Sequence, residues 1–390
     1  MKKICFITTV SATLDSFVLN TAKYIHEKTD WDITFICNYD REFKEKLPDY
    51  IHYIPVNMKR GISVSGVKAV AEMKRIFRRE KFDLIQYSTP NASLYASVAG
   101  KIAKIPVRLY CQWGMVFVGF SGIKRLIFKL EEKLVCKLST WIEPDSISNL
   151  DFAHEQGLYP ENKGSVIWNG SASGVNLEKF DISQKSNYRK VIRSRYGIPK
   201  DAFVYGFVGR ITRDKGINEL LSAYKQLLPD NTYLMLVGSE EIDDNIDMDL
   251  FNWSKESENV IYTGRTDAVE QYLSAMDVYI LPSYREGFGS GVIEAEAMGL
   301  PVIVSDIPGP TDAMLKYKTG LVVEKADVKS LAEAMNTIYR DRELYQSLAS
   351  AAHGFAEEHF EQGKLFEYII EDRKKLLGEN KRWQVLTKSH

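Results

Sequence analysis

The chain alternates short runs of β-branched and aromatic residues with amphipathic stretches of helical length. This alternation is typical of parallel sheets whose strands are joined by crossover helices. In the first half, the predicted strands are ICFITTV, ITFIC, DLIQYS, VRLYC and TWIEP. The helices predicted between them span about 16–28, 65–80, 91–104 and 122–138. The pattern therefore predicts an α/β fold with a doubly wound parallel sheet.

The same pattern starts again after a polar, interrupted region between Val166 and Pro199, which we interpret as a linker. The strands predicted beyond it are FVYGFVG, YLMLVGS, NVIYTG, VYILPS, PVIVS and TGLVV. From about residue 327 the periodicity is helical. We predict two Rossmann-like domains at 1–168 and 169–365, with a C-terminal helix at 366–390 that returns to the first domain. Two such domains facing each other would form an interdomain cleft where ligands bind.

The composition narrows the class of protein. A chain of 390 residues with a formal net charge of -1 does not attract a polyanion as a whole, which argues against a nucleic-acid binder. The four cysteines form no CxxC pair, so we expect buried thiols rather than metal ligands or disulfides. The first residues lack the apolar core of a signal peptide, and no run of about 18 apolar residues occurs. We therefore expect a protein that is neither secreted nor membrane-spanning.

Candidate chemistry lies in two loops that follow predicted strands. After FVYGFVG, a loop bounded by Gly209 and Gly216 carries Arg210 and Lys215 just before a helix. An arginine fork and a lysine point charge can together bind a diphosphate. The alternative is a solvated basic turn.

The second loop follows VYILPS and reads SYREGFGSGVIEAEA. Its Ser290 and Gly291 fall at the start of a predicted helix, where free amides and the helix dipole favour a phosphate. Carboxylates accept hydrogen bonds from sugar hydroxyls, so Glu286 and Glu294 fit sugars on both sides of that phosphate. A nucleoside diphosphate sugar has this layout. The alternative is that both glutamates only stabilise the helix terminus electrostatically.

Taken together, Glu286-Gly-Phe-Gly through Glu294, preceded by Gly209-Arg210 and Lys215-Gly216, resemble the signature of retaining glycosyltransferases of family 4. The resemblance implies the GT-B fold of two Rossmann-like domains. It implies that Glu294 binds the ribose, that Arg210 and Lys215 bind the diphosphate, and that Glu286 faces the transferred sugar. It also implies catalysis without a metal or other cofactor. The remaining residues assigned to donor binding are Phe288 and Gly289, through their backbone amides, and Gly209, Ser290, Gly291 and Arg265.

The first domain departs from the family pattern. Where many relatives carry a glycine pair after the first strand, this chain has Thr9, Ser11 and Asp15. Where many carry His-Gly after a later strand, it has Trp113-Gly114. We assign Thr9, Ser11, Trp113 and Gly114 to the acceptor side. Trp113 either stacks on a sugar or belongs to the core, and Asp15 is either an acceptor base or the cap of a helix starting at Ser16.

These features and the segment FSGIKRLIFKLEEKL are similar to bacterial capsule and O-antigen enzymes of the CapM-like group. The resemblance implies a sugar acceptor carried on a polyprenyl diphosphate, a UDP-linked donor and work at the inner face of the plasma membrane. Residues 59–140 hold 16 Lys and Arg against 5 Asp and Glu, which suits an anionic membrane surface. The predicted helix 122–138 has an apolar stripe that a core-facing orientation would explain entirely.

Several alternatives stay open at this level. The transfer can proceed by same-face attack or through a covalent glycosyl intermediate. A nicotinamide oxidoreductase would need a GxGxxG loop, which neither domain supplies. A GT-B sugar-nucleotide epimerase and a non-catalytic sugar-nucleotide-binding subunit share the fold and the donor site.

Overall fold

The computed structural model describes residues 1–59, 64–227 and 230–379. The chain forms two compact units. Unit 1 comprises Met1–Ser173 with the residues from Gly363 onward, and unit 2 comprises Gly174–Gln362. These bounds lie a few residues from the sequence-based boundaries at 168/169 and 365/366. The last part of the predicted C-terminal helix, from residue 380, lies outside the described residues.

Unit 1 contains a six-stranded parallel sheet in the order β3-β2-β1-β4-β5-β6. Its strands are β1 (Lys3–Ile7), β2 (Asp32–Cys37), β3 (Ile51–Pro55), β4 (Leu84–Tyr87), β5 (Val107–Gln112) and β6 (Trp141–Pro144). The strand order is that of a doubly wound sheet, with its topological switch point between β1 and β4. Strand β3 was not predicted, because this edge strand is only partly buried and ends in proline, so its apolar pattern is weak.

Seven helices of unit 1 precede the crossing into unit 2 in the described residues. They are α1 (Ser11–Phe17), α2 (Leu19–Lys28), α3 (Arg41–Lys46), α4 (Val64–Glu80), α5 (Pro90–Ala103), α6 (Gly122–Leu138) and α7 (Ile147–Glu155). Helix α5 packs against both α4 and α6, so these three form one row. The short α3 and α7 were missing from the sequence analysis.

Unit 2 repeats the arrangement with the parallel order β12-β11-β10-β7-β8-β9. Its strands are β7 (Phe203–Val208), β8 (Thr232–Val237), β9 (Val260–Gly264), β10 (Val278–Leu281), β11 (Val302–Ser305) and β12 (Gly320–Val323). Its helices are α8 (Lys185–Arg195), α9 (Ile217–Leu227), α10 (Met248–Glu256), α11 (Val269–Ala275), α12 (Ser290–Ala297), α13 (Val328–Arg340) and α14 (Arg342–Phe360). The switch point lies between β7 and β10. The predicted α/β fold of two doubly wound sheets is confirmed.

The region interpreted as a linker is only partly a connection. The chain passes from unit 1 to unit 2 at Ser173 and Gly174. Helix α8, inside the predicted linker, packs against α11 and buries Ile192 completely. The linker prediction from Val166 to Pro199 was therefore too long, because the polar surface of α8 masked its apolar face in the sequence.

The last helix, α15 (Gln362–Leu376), carries the chain from unit 2 back into unit 1. Its Arg373 is buried and donates hydrogen bonds to both carboxylate oxygens of Glu143, on β6. It also donates to the side-chain oxygen of Gln86, on β4, at 3.0 Å. A buried guanidinium needs such partners, so this network fixes α15 against the unit 1 sheet.

All four cysteines are buried, as expected, and none forms a disulfide in the structure. Within residues 1–59, 64–227 and 230–379, no helix is long and apolar enough to cross a membrane.

Candidate active site

The two loops singled out in the sequence meet at the switch point of unit 2. Strands β7 and β10 are hydrogen-bonded neighbours, and their carboxyl ends lead into the Arg210–Lys215 loop and the Glu286 loop respectively. Gly209 follows β7 directly. Sheet topology thus brings together two segments that are about 70 residues apart in the chain, at the edge where ligands of such sheets bind.

The two loops approach each other more closely than side chains would allow. Gly216 has a φ of +74°, and a Cβ atom there would lie 2.0 Å from the carbonyl oxygen of Pro282. The amide of Tyr284 donates to the carbonyl of Asp214 at 2.8 Å. Only glycine accommodates both the left-handed backbone and the close contact at position 216.

At this junction, Lys215 and Glu286 form an ion pair. The Lys215 Nζ lies 2.5 Å from Glu286 Oε1, and the same oxygen accepts a hydrogen bond from the Ser283 hydroxyl at 2.7 Å. The two charged side chains are only 18% and 12% exposed. Their orientation is therefore held by contacts from both loops. An ammonium has three donors, so Lys215 keeps donors for a second anionic partner.

A second set of contacts fixes the positions of the two loops relative to each other. Arg213 donates to Glu219, on α9, at 2.8 Å and to the Tyr284 hydroxyl at 2.5 Å. Tyr284 in turn donates to Glu219 at 2.7 Å, and the Arg213 guanidinium lies 4.4 Å from the centre of the Tyr284 ring. This triangle positions Lys215 and Glu286, which lie beside it in the chain. This triangle was not predicted, since nothing in the sequence pairs Tyr284 with Glu219.

Arg210 is the more accessible cation of the first loop. Its side chain is half exposed, with Nη1 2.9 Å from Glu241 and Nη2 4.0 Å from Asp214. Burial alone would raise the pKa of Asp214, but the hydroxyl of Thr212 and the charge of Arg285 hold it below its ordinary value. Asp214 therefore stays ionised between the arginines of the two loops.

The Glu286 loop ends at the N-terminus of α12. Gly289 occupies the N-cap position with a φ of +87°, and Ser290 and Gly291 are the first two helical residues. Helix geometry leaves the amides of these two residues without intrahelical acceptors. The Phe288 side chain is buried against Phe360, with ring centres 5.3 Å apart, so only its backbone is available to a ligand.

Glu294 lies in the second turn of α12 and is half-buried. No hydrogen bond to its carboxylate is found within the described part of the chain. Burial raises the pKa of Glu294 to about 7, the charge of Glu270 adds to the effect, and Lys179 opposes it. The side chain is therefore an acceptor whose charge changes near neutral pH.

Arg265 does not join this cluster in the structure. It is exposed and follows β9, which β8 separates from β7. No ion pair from Arg265 to a described residue is found. Its assignment to donor binding stays a prediction.

The predicted acceptor-side residues lie in unit 1. Thr9 follows β1 and its amide and hydroxyl both contact the hydroxyl of Thr89, after β4, at 2.9 Å. The Ser11 hydroxyl donates to Asp40 at 2.5 Å. Thr9 thus lies at the switch point of the first sheet, whereas Ser11 contacts a residue that follows β2.

Asp15 is exposed in the middle of α1. The helix begins at Ser11, so the alternative in which Asp15 caps a helix starting at Ser16 was wrong. The sequence placed the start too late because α1 and α2 are two short helices in succession rather than one.

Trp113 follows β5 and is half-buried. Its ring lies 5.5 Å from that of Phe17, on α1, at an angle of 43°. Gly114 follows with a φ of +98°. The indole therefore belongs partly to the edge of the core, and its sugar-stacking role stays a prediction.

Within the described residues, no group of three or more His, Cys, Asp or Glu side chains is arranged to hold a metal ion.

Comparison with known proteins identifies the family. The family model described as "Glycosyl transferases group 1" matches residues 189–355, and "Glycosyl transferase 4-like" matches residues 3–142. The lipopolysaccharide core biosynthesis glycosyltransferase LpsE of Rhizobium meliloti is 32% identical over 297 residues, covering 75% of this chain and 76% of LpsE. The chain belongs to the glycosyltransferases.

Other relatives of this glycosyltransferase are similar over nearly its whole length. The capsular polysaccharide biosynthesis glycosyltransferase CapM of Staphylococcus aureus is 29% identical, with 94% of this chain and 96% of CapM covered. A Campylobacter jejuni enzyme, N,N'-diacetylbacillosaminyl-diphospho-undecaprenol alpha-1,3-N-acetylgalactosaminyltransferase, is 26% identical, with 90% and 93% covered. The predicted resemblance to CapM-like enzymes is confirmed.

The structure of Anabaena HepE in complex with UDP has the same fold as the glycosyltransferase. The TM-score is 0.78 at 19% identity, with 96% of this chain and 100% of HepE covered. The comparison confirms the GT-B fold predicted from the sequence.

Proposed function

We propose that this glycosyltransferase is a retaining enzyme of family 4. It transfers a sugar, of the N-acetylhexosamine type, from a UDP-linked donor to a saccharide on a polyprenyl diphosphate. The reaction extends a bacterial surface polysaccharide of the capsule or O-antigen type, at the inner face of the plasma membrane. The names of CapM and of the Campylobacter relative support this choice of acceptor and pathway.

One observation carries the proposal: the ion pair of Lys215 and Glu286 beside the N-terminus of α12. It places a cation, a carboxylate and the free amides of a helix terminus at one switch point. The cation and the amides suit a diphosphate, and the carboxylate suits a hydroxyl of the sugar beside it.

In the proposed mechanism, Lys215, Arg210 and the amides of Ser290 and Gly291 stabilise the charge that develops on the leaving diphosphate. Glu286 accepts a hydrogen bond from the transferred sugar, and Glu294 accepts hydrogen bonds from the ribose. The cations and the helix terminus perform the electrostatic work, so we propose that the reaction needs no metal.

Retention follows if the acceptor hydroxyl attacks from the face that the diphosphate leaves. A departing phosphate oxygen then takes the proton of the acceptor hydroxyl, and Asp15 is the alternative base for that proton on the acceptor side. A covalent glycosyl intermediate would instead need a carboxylate on the opposite face of the sugar.

The proposal is tested by nucleotide release from a panel of UDP-, GDP- and dTDP-sugars, with and without a polyprenyl-diphosphate-linked sugar extract. We expect acceptor-dependent release of UDP, a lipid product heavier by one sugar, and an unchanged anomeric configuration by NMR. Turnover should persist after treatment with EDTA.

Three other results would contradict the proposal. A sugar that stays on the nucleotide with altered stereochemistry would indicate an epimerase. Donor binding without turnover on any acceptor extract would indicate a non-catalytic subunit. Binding of none of the donors would refute the roles of Lys215, Arg210 and the two glutamates.

A further inference from the structure

Helix α6 presents a row of large apolar side chains to solvent. A core-facing orientation of the helix was the alternative explanation of this stripe, and the structure contradicts it. The exposed members, with their exposed fractions, are Ile123 (79%), Leu126 (57%), Ile127 (46%), Leu130 (56%) and Leu134 (43%). Their spacing of three and four residues keeps them on one face over about three turns.

The opposite face of α6 fixes this orientation. Glu132, Val135 and Cys136 are buried against the body of unit 1. The Glu132 carboxylate accepts hydrogen bonds from Tyr110, at 2.9 Å, and from Gln112, at 2.5 Å, both on β5. At 3.6 residues per turn, these buried positions lie about 180° from the apolar stripe. Rotating the stripe inward would expel Glu132 and leave the Tyr110 hydroxyl and the Gln112 side-chain amide nitrogen without this acceptor.

The charges of α6 are arranged around the stripe. Lys124, Lys133 and Lys137 are exposed. Arg125 and Lys129 are turned towards the rest of unit 1. Arg125 lies 5.3 Å from the centre of the Phe117 ring, and Lys129 donates to Gln156 at 2.9 Å. The solvent-facing part of the helix therefore combines an apolar stripe with three lysines.

Neighbouring helices add exposed cations of the same sign. Arg75 and Arg78 are exposed on α4, where Arg79 is paired with Glu80 at 2.6 Å. Lys101 is exposed on α5, which packs between α4 and α6. Attraction of this surface to an anionic partner follows from these charges.

We propose that α6 lies in the interface of an anionic lipid membrane, with its apolar stripe among the acyl chains and its lysines at the lipid phosphates. A lipid membrane provides both an apolar environment for the stripe and anionic headgroups for the lysines. A second copy of the chain docked through α6 would bring the lysines of both copies together, which charge repulsion opposes. The inference deepens the proposed function, on which its biological meaning rests, by assigning the membrane contact to one helix.

The stripe predicts a mode of binding that charge alone would not give. Purely electrostatic binding disappears as salt screens it, whereas insertion of aliphatic side chains persists. We therefore expect binding to vesicles that contain phosphatidylglycerol to weaken, but not vanish, when salt rises from about 0.1 M to about 0.5 M. Vesicles of phosphatidylcholine alone should bind the protein more weakly.

The first test uses Leu126→Ser with Leu130→Ser in vesicle sedimentation. Removing two exposed aliphatic side chains should weaken partitioning into phosphatidylglycerol vesicles by at least about tenfold. The matched control is Val191→Ser with Met248→Ser, which changes two helical residues of unit 2 with similar exposed fractions, 52% and 47%. The control should bind as the wild type does. Because all four positions are exposed, both variants should fold.

The second test places a probe on the stripe. All four native cysteines are buried, so Leu130→Cys can be labelled selectively with the environment-sensitive dye NBD. We expect a blue shift on anionic vesicles and quenching by spin-labelled acyl chains, and neither effect with the dye at Val191→Cys. A dye at position 130 that stays in water while the protein is vesicle-bound would overturn the proposal.

Other results would also refute the inference. One is that the wild-type protein fails to bind phosphatidylglycerol vesicles, and another is that the Leu126→Ser, Leu130→Ser variant binds them as well as the wild type does. A third is that light scattering shows the wild type to be a dimer and this variant to be a monomer. None of these assays contains donor or acceptor. Vesicle binding without sugar transfer would therefore refute the proposed function alone. Transfer without vesicle binding would refute the inference and leave the proposed sugar transfer intact.

Discussion

Lys215 and Glu286 lie 71 positions apart in the chain, yet their side chains form an ion pair of 2.5 Å at the switch point of the second sheet. The pair exists because β7 and β10 are adjacent and because Gly216 lets the loop after β7 approach Pro282. A cation and a carboxylate so held are preorganised for a ligand that carries both a diphosphate and a sugar.

Glu286→Gln should lower turnover by about a hundredfold or more while changing donor affinity only a few-fold, because it removes a charge that acts at the reacting sugar. The measurement is steady-state kinetics together with calorimetric binding of the donor. Glu241→Gln is the matched control, since Glu241 contacts Arg210 from an exposed position. Equal turnover in the two variants would contradict the role given to Glu286.

Donor affinity should depend on the protonation of Glu294. Its pKa is raised to about 7 by burial, and a ribose hydroxyl binds the ionised carboxylate best. Affinity for a UDP-sugar should therefore fall as pH decreases through about 7, since protonation then competes with binding. Glu294→Gln should bind more weakly at high pH and show a flatter profile. A wild-type profile as flat as that of the variant would argue against the ribose role.

The same shift has a consequence for folding. The raised pKa means that, between the ordinary value of 4.5 and about 7, the folded state binds more protons at Glu294 than the unfolded state. This group therefore contributes a free energy of unfolding that decreases as pH rises across that window. Glu294→Gln should remove this contribution, which urea denaturation at several pH values would measure.

Gly216→Ala should destabilise unit 2 and lower donor binding. The new Cβ would lie 2.0 Å from the Pro282 carbonyl oxygen and would occupy a backbone with φ of +74°. We expect a loss of about 2 kcal/mol or more in the free energy of unfolding, measured by urea denaturation. Gly264→Ala is the control, because Gly264 has a φ of +72° but no atom within 4 Å of its Cβ position. If Gly216→Ala lowers the free energy of unfolding no more than Gly264→Ala does, the close approach to Pro282 does not matter for stability.

Arg373→Ala should destabilise unit 1 by about 3–5 kcal/mol, because it leaves Glu143 buried without its charged partner. Replacing both residues, as Arg373→Met with Glu143→Leu, should recover much of this loss. Lys374→Ala, which removes an exposed pair with Glu371, is the control and should change little. A double variant as unstable as Arg373→Ala would show that apolar side chains do not fit the site.

The sequence by itself determined much of the fold. Nearly every strand was visible as a β-branched or aromatic run, since strands buried on both faces need continuous apolar residues. The exception, β3, lies at an edge and is only partly buried. The loops with Arg210, Lys215, Glu286 and Glu294 were also visible, because glycine and charge interrupt the apolar pattern there.

Only the tertiary structure decided which of these residues meet. The contacts of Lys215 with Glu286, and of Arg213 with Tyr284 and Glu219, depend on β7 and β10 being neighbours in the sheet. Strand order is set by how the helices pack on the two faces, and no local pattern encodes it. Arg265, which was predicted to bind the donor, follows the edge strand β9.

In helix α6, too, the sequence determined one feature and the tertiary structure another. Its periodicity determined that Ile123, Leu126 and Leu130 share a face, because residues three and four apart lie on one side of a helix. It did not determine whether that face points inward. The hydrogen bonds of Glu132 to Tyr110 and Gln112 decided that, because a buried carboxylate is tolerated only where partners satisfy it.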